Sequence, residues 1–380
     1  MREVYLDNSA TTRTDPEIAA LAADVMTREF GNPSSLHKKG LEAELLLEQA
    51  RSKLASVLGC DPGEIYFTSG GTEANNLSLL GAFAAHKRRA TGLISLATEH
   101  SSVLQPLKYL ENNGGQLKLF SPLPDGSLTP GEVAGAIGAD TLLLSLGLVN
   151  SEIGGVLPVS EISRAAKAKN PHILIHCDAV QAFGRLPVSV SKLGVDLLSI
   201  SGHKFHAPKG IGALYIRRGI RITPLLYGGG QQGKVRPGTE NVPLAYALGV
   251  AAEKLAADIP RNLEIYLRLR RFFLENAENI PELCINSASE QTPYICNISL
   301  PGFNSETLIH FLAGHGIYVS GGAACAKGRQ SHVLAALGLS RALINSALRI
   351  SFCKDTTEQD ITDFFAVLGQ AITTLVRSKP

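Results

Sequence analysis

The run Val195-Asp196-Leu197-Leu198-Ser199-Ile200 is followed directly by Ser201-Gly202-His203-Lys204. The first stretch is typical of a buried β-strand, and the second leaves a histidine and a lysine where that strand ends. A lone lysine at a strand end is most often simply solvated. Whether Lys204 has a function therefore depends on what the rest of the chain places beside it.

Apolar runs alternate with helical patterns on both sides of this strand. Continuous apolar strands that alternate with helices indicate a mostly parallel sheet that is covered on both faces. We therefore predict an α/β fold whose large domain holds a mostly parallel seven-stranded sheet. The other predicted strands are residues 64–68, 93–96, 117–120, 142–146, 173–177 and 212–216.

The alternation stops near residue 243, and the remaining pattern indicates a smaller α+β domain. A long helical stretch runs from Val242 to about Ala277, and we expect a kink or break at Pro260, because an internal proline costs ~3 kcal/mol in a helix. A chain of 380 residues is too long for one compact core. We predict a large domain at 15–250 and a small domain formed by 1–14 and 251–380.

Composition excludes several classes of function. A net charge of +2 argues against a nucleic-acid surface, which needs clustered Lys and Arg. No apolar run reaches the ~20 residues that span a bilayer, and the N-terminus has no signal pattern, so we expect a cytoplasmic protein with no membrane segment. The six cysteines show no metal-ligand spacing, and we predict no metal site. Five lie in or beside apolar segments and are expected to be buried, whereas Cys325 lies in a stretch of small residues.

The turn Ser69-Gly70-Gly71-Thr72 lies between a predicted strand and a predicted helix. Free backbone N–H groups at the positive end of a helix form an anion site, and glycines let a phosphate approach closely. The alternative is an ordinary strand-to-helix turn with Thr72 in its cap.

Asp178 ends the apolar run 173–177. Ligands of an open α/β sheet bind beyond the carboxyl ends of its strands, so Asp178 and Lys204 point to the same crevice. A buried carboxylate needs a cation or good donors, and a protonated pyridine nitrogen is such a cation. Asp178 could instead cap the next helix. Taken with the glycine turn and Cys325, these residues suggest that Lys204 is a Schiff-base lysine that holds pyridoxal 5'-phosphate.

Other polar residues have two interpretations each. His100 follows a strand on the same rim and could stack on a flat ring or move protons, and His203 could donate to a phosphate; either could also be structural. Arg349 lies in an apolar strand and could bind a substrate carboxylate or form a structural salt bridge. Thr239 lies in a polar loop that is either a surface turn or a segment that reaches a phosphate, in its own or a partner subunit.

Together, the motifs resemble the cysteine desulfurases of the class-V aminotransferase group, which have pyridoxal-phosphate fold type I. The resemblance covers nearly the whole chain. It rests on motifs that appear in order at residues 5–12, 30–35, 67–75, 98–100, 201–210 and 236–239 and in the loop at Cys325.

The resemblance implies a role for each site residue. Lys204 would bind the cofactor and move the substrate Cα proton, and Cys325 would be the nucleophile. Either a base such as His100 or the substrate's own departing charge would supply its thiolate. Asp178 would pair with the pyridine nitrogen, Gln181 with the ring hydroxyl, and His100 would stack on the ring. The phosphate residues would be Gly71, Thr72, Ser201 and His203, with Thr239 from the other subunit of a homodimer. Ser151 would contact the cofactor, and Asn150 and Arg349 the substrate.

The implied reaction removes sulfur from L-cysteine, gives L-alanine and leaves a persulfide on Cys325. The sulfur would pass to an acceptor protein such as an iron–sulfur scaffold, or serve RNA thiolation. A selenocysteine lyase or an aminotransferase of the same fold would share Lys204, Asp178 and Arg349. A catalytically weakened sulfur-relay partner that retains the cofactor is a further alternative.

The chain departs from the family pattern at three places. Ser151 stands where the family has a second asparagine, and a hydroxyl offers one donor where an amide offers two. Pro237 replaces the usual serine before Gly238-Thr239. The loop that carries Cys325 is shorter than the commonest long form, which concerns how far Cys325 can travel to an acceptor.

Overall fold

The computed structural model describes residues 2–123, 126–287, 291–321 and 330–377. Cys325 lies outside the described residues.

The central feature is a seven-stranded sheet with the order β2-β8-β7-β6-β5-β3-β4. β8 is antiparallel to both of its neighbours, and the other pairs are parallel, which confirms the predicted mostly parallel sheet. Its strands are β2 (Ile65–Thr68), β3 (Gly92–Leu96), β4 (Gln116–Phe120), β5 (Thr141–Gly147), β6 (Leu174–Asp178), β7 (Leu197–Ser201) and β8 (Gly212–Ile216).

Helices bury the two faces of this sheet. Every residue of β3, β7 and β8 is buried, as expected for strands that are covered on both sides. The first eight helices are α1 (Pro16–Arg28), α2 (Lys38–Leu58), α3 (Gly71–Asn76), α4 (Ala82–His86), α5 (Ser101–Glu111), α6 (Pro130–Gly135), α7 (Val159–Lys169) and α8 (Val190–Leu193). A π-helical segment, Leu77–Gly81, joins α3 to α4.

The second half of the chain forms a four-stranded antiparallel sheet with the order β12-β13-β10-β9. The N-terminal strand β1 (Val4–Tyr5) pairs in parallel with β11 (Ile317–Tyr318), which ties the start of the chain to this half. The four strands are β9 (Cys284–Ile285), β10 (Ile295–Ser299), β12 (Ser320–Gly321) and β13 (Ala347–Ser351). The remaining helices are α9 (Val242–Ala277), α10 (Ser305–Gly314), α11 (His332–Ala336), α12 (Arg341–Asn345) and α13 (Glu358–Thr374).

Helix α9 continues through Pro260, so the helix is not broken there. A proline removes one backbone donor, while this 36-residue helix packs along its length on α1, α2 and α13. That packing keeps the helix in one piece. The predicted domain boundary at residue 250 falls inside α9, and the division into two domains stays a prediction.

Two further observations bear on function. Within the described ranges, no helix is long and apolar enough to cross a membrane, and no group of His, Cys, Asp and Glu could hold a metal ion. Cys177 and Cys296 are buried as expected, and Cys60 and Cys353 are partly buried, but Cys284 is exposed because it lies on the edge strand β9.

Candidate active site

A cavity of about 260 Å³ lies at the carboxyl edge of the seven-stranded sheet. It begins where β3, β5, β6 and β7 end, as expected for an open α/β sheet. The predicted site residues that line it are Gly71, Thr72, His100, Asn150, Ser151, Asp178, Gln181, Ser201, His203 and Lys204. Among the described site residues, Thr239 and Arg349 do not line it.

Lys204 ends a 3-10 turn, Gly202–Lys204, that directly follows β7. Its Nζ donates to the carbonyl oxygens of Ser9, at 2.5 Å, and Ala10, at 3.0 Å. The N-terminal segment thus supplies acceptors that hold the amine beside the cavity.

Asp178 is the last residue of β6, and neutral groups hold its carboxylate. Oδ1 accepts the backbone N–H of Val180 at 2.9 Å, and Oδ2 accepts Nδ2 of Asn75 at 2.7 Å. Within the described part of the chain, no Lys or Arg forms an ion pair with it. The carboxylate is therefore fixed in place by neutral donors.

His100 is the N-cap residue of α5 and is exposed to the cavity. Its Nδ1 accepts the backbone N–H of Ser102 at 3.1 Å and lies 2.7 Å from Oγ of the same serine. The surrounding protein atoms lower the pKa of His100 by desolvation, although the negative charge of Asp178 acts in the opposite direction. A neutral ring is favoured.

The part of the cavity lining formed by the start of α3 and by His203 has the character of an anion site. α3 begins at Gly71, and no side chain of the described chain caps its N-terminus. A Cβ at Gly71 would come within 2.7 Å of Cγ2 of Val180, so glycine lets Val180 pack closely against the start of α3. Burial and the nearby Lys204 charge lower the pKa of His203 to about 4, and its Nδ1 lies 3.1 Å from Oγ1 of Thr11.

Gln181 is buried beside this cavity and is only half used by the protein. Its Nε2 donates to the carbonyl of Ser9 at 2.9 Å. Its Oε1 is buried and has no hydrogen-bond partner among the described residues. An unsatisfied buried acceptor of this kind is suited to a ligand donor.

Asn150 and Ser151 lie on the rim formed after β5. Oδ1 of Asn150 accepts the N–H groups of Glu152 and Ile153, and its Nδ2 donates to the carbonyl of Thr98. These bonds shape the turn that presents Ser151 to the cavity. The predicted substrate and cofactor contacts of this pair stay predictions.

Arg349 lies in β13, behind this rim, and is 3% exposed. Its Nη2 donates to Oδ1 of Asp7 at 2.8 Å, and its Nη1 donates to the carbonyl of Ser151 at 3.0 Å. Nε is buried and has no partner among the described residues. Arg349 thus forms a salt bridge with Asp7, one of its two predicted interactions. Binding of a substrate carboxylate by Arg349 stays a prediction.

Thr239 is exposed and lies apart from the cavity of its own chain. The neighbouring Arg236 is held by Glu73, with Nε 2.8 Å from Oε1. A role for Thr239 in a second subunit stays a prediction.

Sequence reasoning assigned no role to four residues that hold this site together. Asn75 contacts Asp178, Ser102 contacts His100, Asp7 pairs with Arg349, and Glu99 accepts the N–H of Gly147 through Oε1 at 2.8 Å. A signal existed for Asn75, because a helical residue four positions after Gly71 lies on the same face.

Comparison with known proteins identifies the family. The family model described as Aminotransferase class-V matches residues 4–364. The chain is 38% identical over 382 residues to cysteine desulfurase IscS of Methanosarcina thermophila, covering 100% of this chain and 94% of that protein.

Solved structures agree with this result. A NifS-like protein has a TM-score of 0.94 at 36% identity, with 98% of this chain and 100% of that chain covered. SspA, solved in complex with cysteine, has a TM-score of 0.82 at 32% identity, with 93% and 100% covered. The chain therefore belongs to the class-V aminotransferase family and, within it, to the cysteine desulfurases.

Proposed function

We propose that the cavity at the carboxyl edge of the sheet binds pyridoxal 5'-phosphate and is where L-cysteine loses its sulfur. The observation that carries this proposal is the convergence of Lys204, Asp178 and His100 on one cavity of about 260 Å³. An amine, a carboxylate and an imidazole from three separate segments face the same space.

The residues that line the cavity fit this cofactor. The uncapped start of α3 suits a phosphate, with Gly71, Thr72, Ser201 and His203 in the cavity lining. At the other end, the carboxylate of Asp178 suits a protonated pyridine nitrogen. The orphan Oε1 of Gln181 suits a ring hydroxyl.

When bound, pyridoxal 5'-phosphate supplies an electron sink that stabilises negative charge at the substrate Cα. Lys204 would bind the cofactor and carry the Cα proton, since its Nζ is held beside the cavity by two carbonyl oxygens. Asp178 would keep the pyridine nitrogen protonated. His100 would lie against the ring.

Cys325 would receive the sulfur. The thiol sulfur of L-cysteine bonds to the sulfur of Cys325 as the substrate C–S bond breaks, and the substrate carbon gains a proton. The products are L-alanine and a persulfide on Cys325, so atoms and electrons balance without another oxidant or reductant. Four other thiols are poor candidates, because burial raises the pKa of Cys60, Cys177, Cys296 and Cys353.

Arg349 would bind the substrate carboxylate. Its guanidinium is already oriented by Asp7 and by the carbonyl of Ser151, and its Nε is unsatisfied. The substrate carboxylate would take over or extend these bonds.

A homodimer would complete the site through Thr239 of a second copy. A groove next to the cavity is lined by Thr72, His100, Tyr109 and Leu225. Tyr109 is 59% exposed, and Tyr227, two residues after Leu225 in the chain, is 85% exposed, which supports an apolar contact with another chain. We further propose that an acceptor protein such as an iron–sulfur scaffold takes the sulfur from Cys325. We also propose a cytoplasmic location and a division of the chain into two domains.

The test is formation of L-alanine from L-cysteine by the purified protein, with absorbance recorded for the bound cofactor. Lys204→Ala is expected to lose the covalently bound cofactor and about 10²–10⁴-fold in activity. Lys209→Ala, at an exposed lysine, is its control. Retention of full activity by Lys204→Ala would contradict the proposal.

Cys325→Ala tests the sulfur-transfer step separately. It is expected to bind the cofactor normally but to form no protein persulfide. Cys284→Ala, which removes an exposed thiol, is the matched control and should behave as the unmodified protein does. If Cys325→Ala still makes alanine and a persulfide, the assignment of Cys325 is wrong.

A further inference from the structure

A hydrogen-bonded row of side chains connects Asp178 to His100. Oδ2 of Asp178 lies 2.7 Å from Nδ2 of Asn75, and that same nitrogen lies 2.9 Å from Oγ of Ser102. Oγ of Ser102 in turn lies 2.7 Å from Nδ1 of His100. Asn75 is completely buried, so water does not compete for its contacts with Asp178 and Ser102.

The direction of every hydrogen bond in this row follows from the carboxylate. Asp178 can only accept, so the amide of Asn75 must turn its NH₂ group, not its oxygen, toward Oδ2. The second hydrogen of that NH₂ group then points at Oγ of Ser102. Oδ1 of Asn75 is left buried and without a partner among the described residues, which is the cost of this orientation.

The hydrogen bond between Ser102 and His100 has its donor on the serine. Because Oγ accepts from Asn75, its own hydrogen is available for Nδ1 of His100. The backbone N–H of Ser102 also points at Nδ1, at 3.1 Å, and a backbone N–H can only donate. Two donors therefore face this one ring nitrogen, and Nδ1 must be the unprotonated, accepting nitrogen.

We propose that Asp178 fixes, through Asn75 and Ser102, the neutral tautomer of His100 that carries its proton on Nε2. This side chain then enters the reaction as a hydrogen-bond donor and not as a base. Asn75 and Ser102 are positioning residues for the same site, so the inference rests on the proposed function.

The consequence decides between the two sources expected for the Cys325 thiolate, because it removes His100 as the base. A neutral imidazole with Nε2–H can donate to an acceptor such as a thiolate sulfur or a cofactor oxygen, but it has no free lone pair to offer the cavity. The lone pair is on Nδ1, which is occupied at the start of α5. Desolvation lowers the pKa of His100, which also disfavours the doubly protonated ring. The nitrogen of Lys204 remains to take up a proton.

The direct test needs no turnover. Protein carrying its cofactor is labelled with ¹⁵N-histidine, and His100→Gln identifies the His100 signals among the 10 histidines. We expect the Nδ1 shift of an unprotonated nitrogen and the Nε2 shift of a protonated one at neutral pH. A proton on Nδ1, or on both nitrogens, would overturn the proposal.

Matched variants test the connecting residues. Asn75→Leu removes both donors, so Oγ of Ser102 becomes free to accept from Nδ1. We expect the His100 signals to move partway toward those of a ring that exchanges between tautomers, because the backbone N–H of Ser102 remains. Asn76→Leu is the control, since its amide on the same helix donates, among the residues that the structure describes, only to the carbonyl of Thr72. If Asn75→Leu leaves the His100 shifts unchanged, Asn75 does not set the tautomer.

Kinetics then separate donor from base. A glutamine can place an N–H donor near the position of Nε2, so His100→Gln should retain kcat within about tenfold and exceed His100→Ala clearly. Equal losses of about 10²–10⁴-fold in both variants would indicate a base and overturn the donor role. Failure of the unmodified protein to form alanine would instead refute the proposed function and leave the tautomer result standing.

Discussion

Two aspartates lie at opposite edges of the seven-stranded sheet and are held in different ways. Asp196, just before β7 at the amino edge, is completely buried, with Oδ1 at 3.0 Å from Nζ of Lys167 and 2.7 Å from Nε of Arg217. Asp178, at the carboxyl edge, accepts only from Asn75 and a backbone N–H, and no ion pair with it exists in the described residues. One negative charge is balanced within the fold, and the other is not.

This difference shows which of the two carboxylates has a negative charge available to a ligand. A buried carboxylate that pairs with two cations contributes to folding and has little left to offer a ligand. A carboxylate held by neutral donors keeps its charge and its direction. The buried acids Glu99 and Glu152 of the carboxyl edge also have neutral donors, from Gly147 and Ser331, but burial raises their pKa to about 8 and about 7, so they hold protons that an exposed glutamate loses.

The largest effect is expected from Asp178→Asn. Loss of the charge should reduce alanine formation by about 10²–10³-fold, which is ~2.7–4 kcal/mol in the barrier, because one preorganised electrostatic contact is removed. The fold should persist, since the amide oxygen can still accept the N–H of Val180, and Asn75 can turn its own amide oxygen toward the new NH₂ group. Activity assays and thermal unfolding of the same sample measure both. A large drop in melting temperature would mean that Asp178 is structural, as Asp196 is.

Asp196→Asn should produce the opposite result. It leaves Lys167 and Arg217 without their shared partner, and because both cations are partly exposed we expect a loss of about 2–3 kcal/mol in the free energy of unfolding. Activity per folded molecule should hardly change. Denaturant unfolding and the alanine assay check the two parts. Lost activity in a fully stable variant would break the comparison.

The comparison also shows what the sequence could predict. Periodicity located the seven strands, and because parallel strands end at one edge, Asp178 and Lys204 were placed together correctly. Helical spacing places Asn75 on the same face as Gly71, but its contact with Asp178 depends on how α3 packs in the fold, which no local pattern encodes. The pairing of Arg349 with Asp7 joins distant parts of the chain, so periodicity left its two interpretations open. Pro260 was expected to interrupt α9 because propensity alone ignores the packing along that helix.

The next largest effect is expected in the pH dependence of the free energy of unfolding, through the buried acid Glu152. Burial raises the pKa of Glu152 from 4.5 to about 7, while the Ser331 hydroxyl acts against that rise. The folded protein thus keeps a proton that the unfolded chain loses, so this stability is complete below about pH 4.5 and disappears as pH rises through about 7. Glu152→Gln should remove part of that alkaline loss, on the order of 1–3 kcal/mol between about pH 5.5 and pH 8.5.

Denaturant unfolding at the two pH values measures this effect. Glu132→Gln is the control, because Glu132 is an exposed capping residue whose pKa is lowered by its hydrogen bonds to Thr129. It should leave the alkaline loss unchanged. Equal slopes for Glu152→Gln and the unmodified protein would show that Glu152 is ionised in the fold.

Ser151→Asn should have the smallest effect. The contact that orients Arg349 uses the backbone carbonyl of Ser151, so the exchange leaves that contact in place. The asparagine adds one donor toward the cavity, and we expect kcat/KM for L-cysteine to rise by less than about tenfold, the range of a single hydrogen bond. Steady-state alanine formation measures it. A much larger rise would mean that Ser151 limits how well the site positions L-cysteine. Neutral donors at the carboxyl edge would then control the rate of alanine formation as well as the orientation of the Asp178 carboxylate.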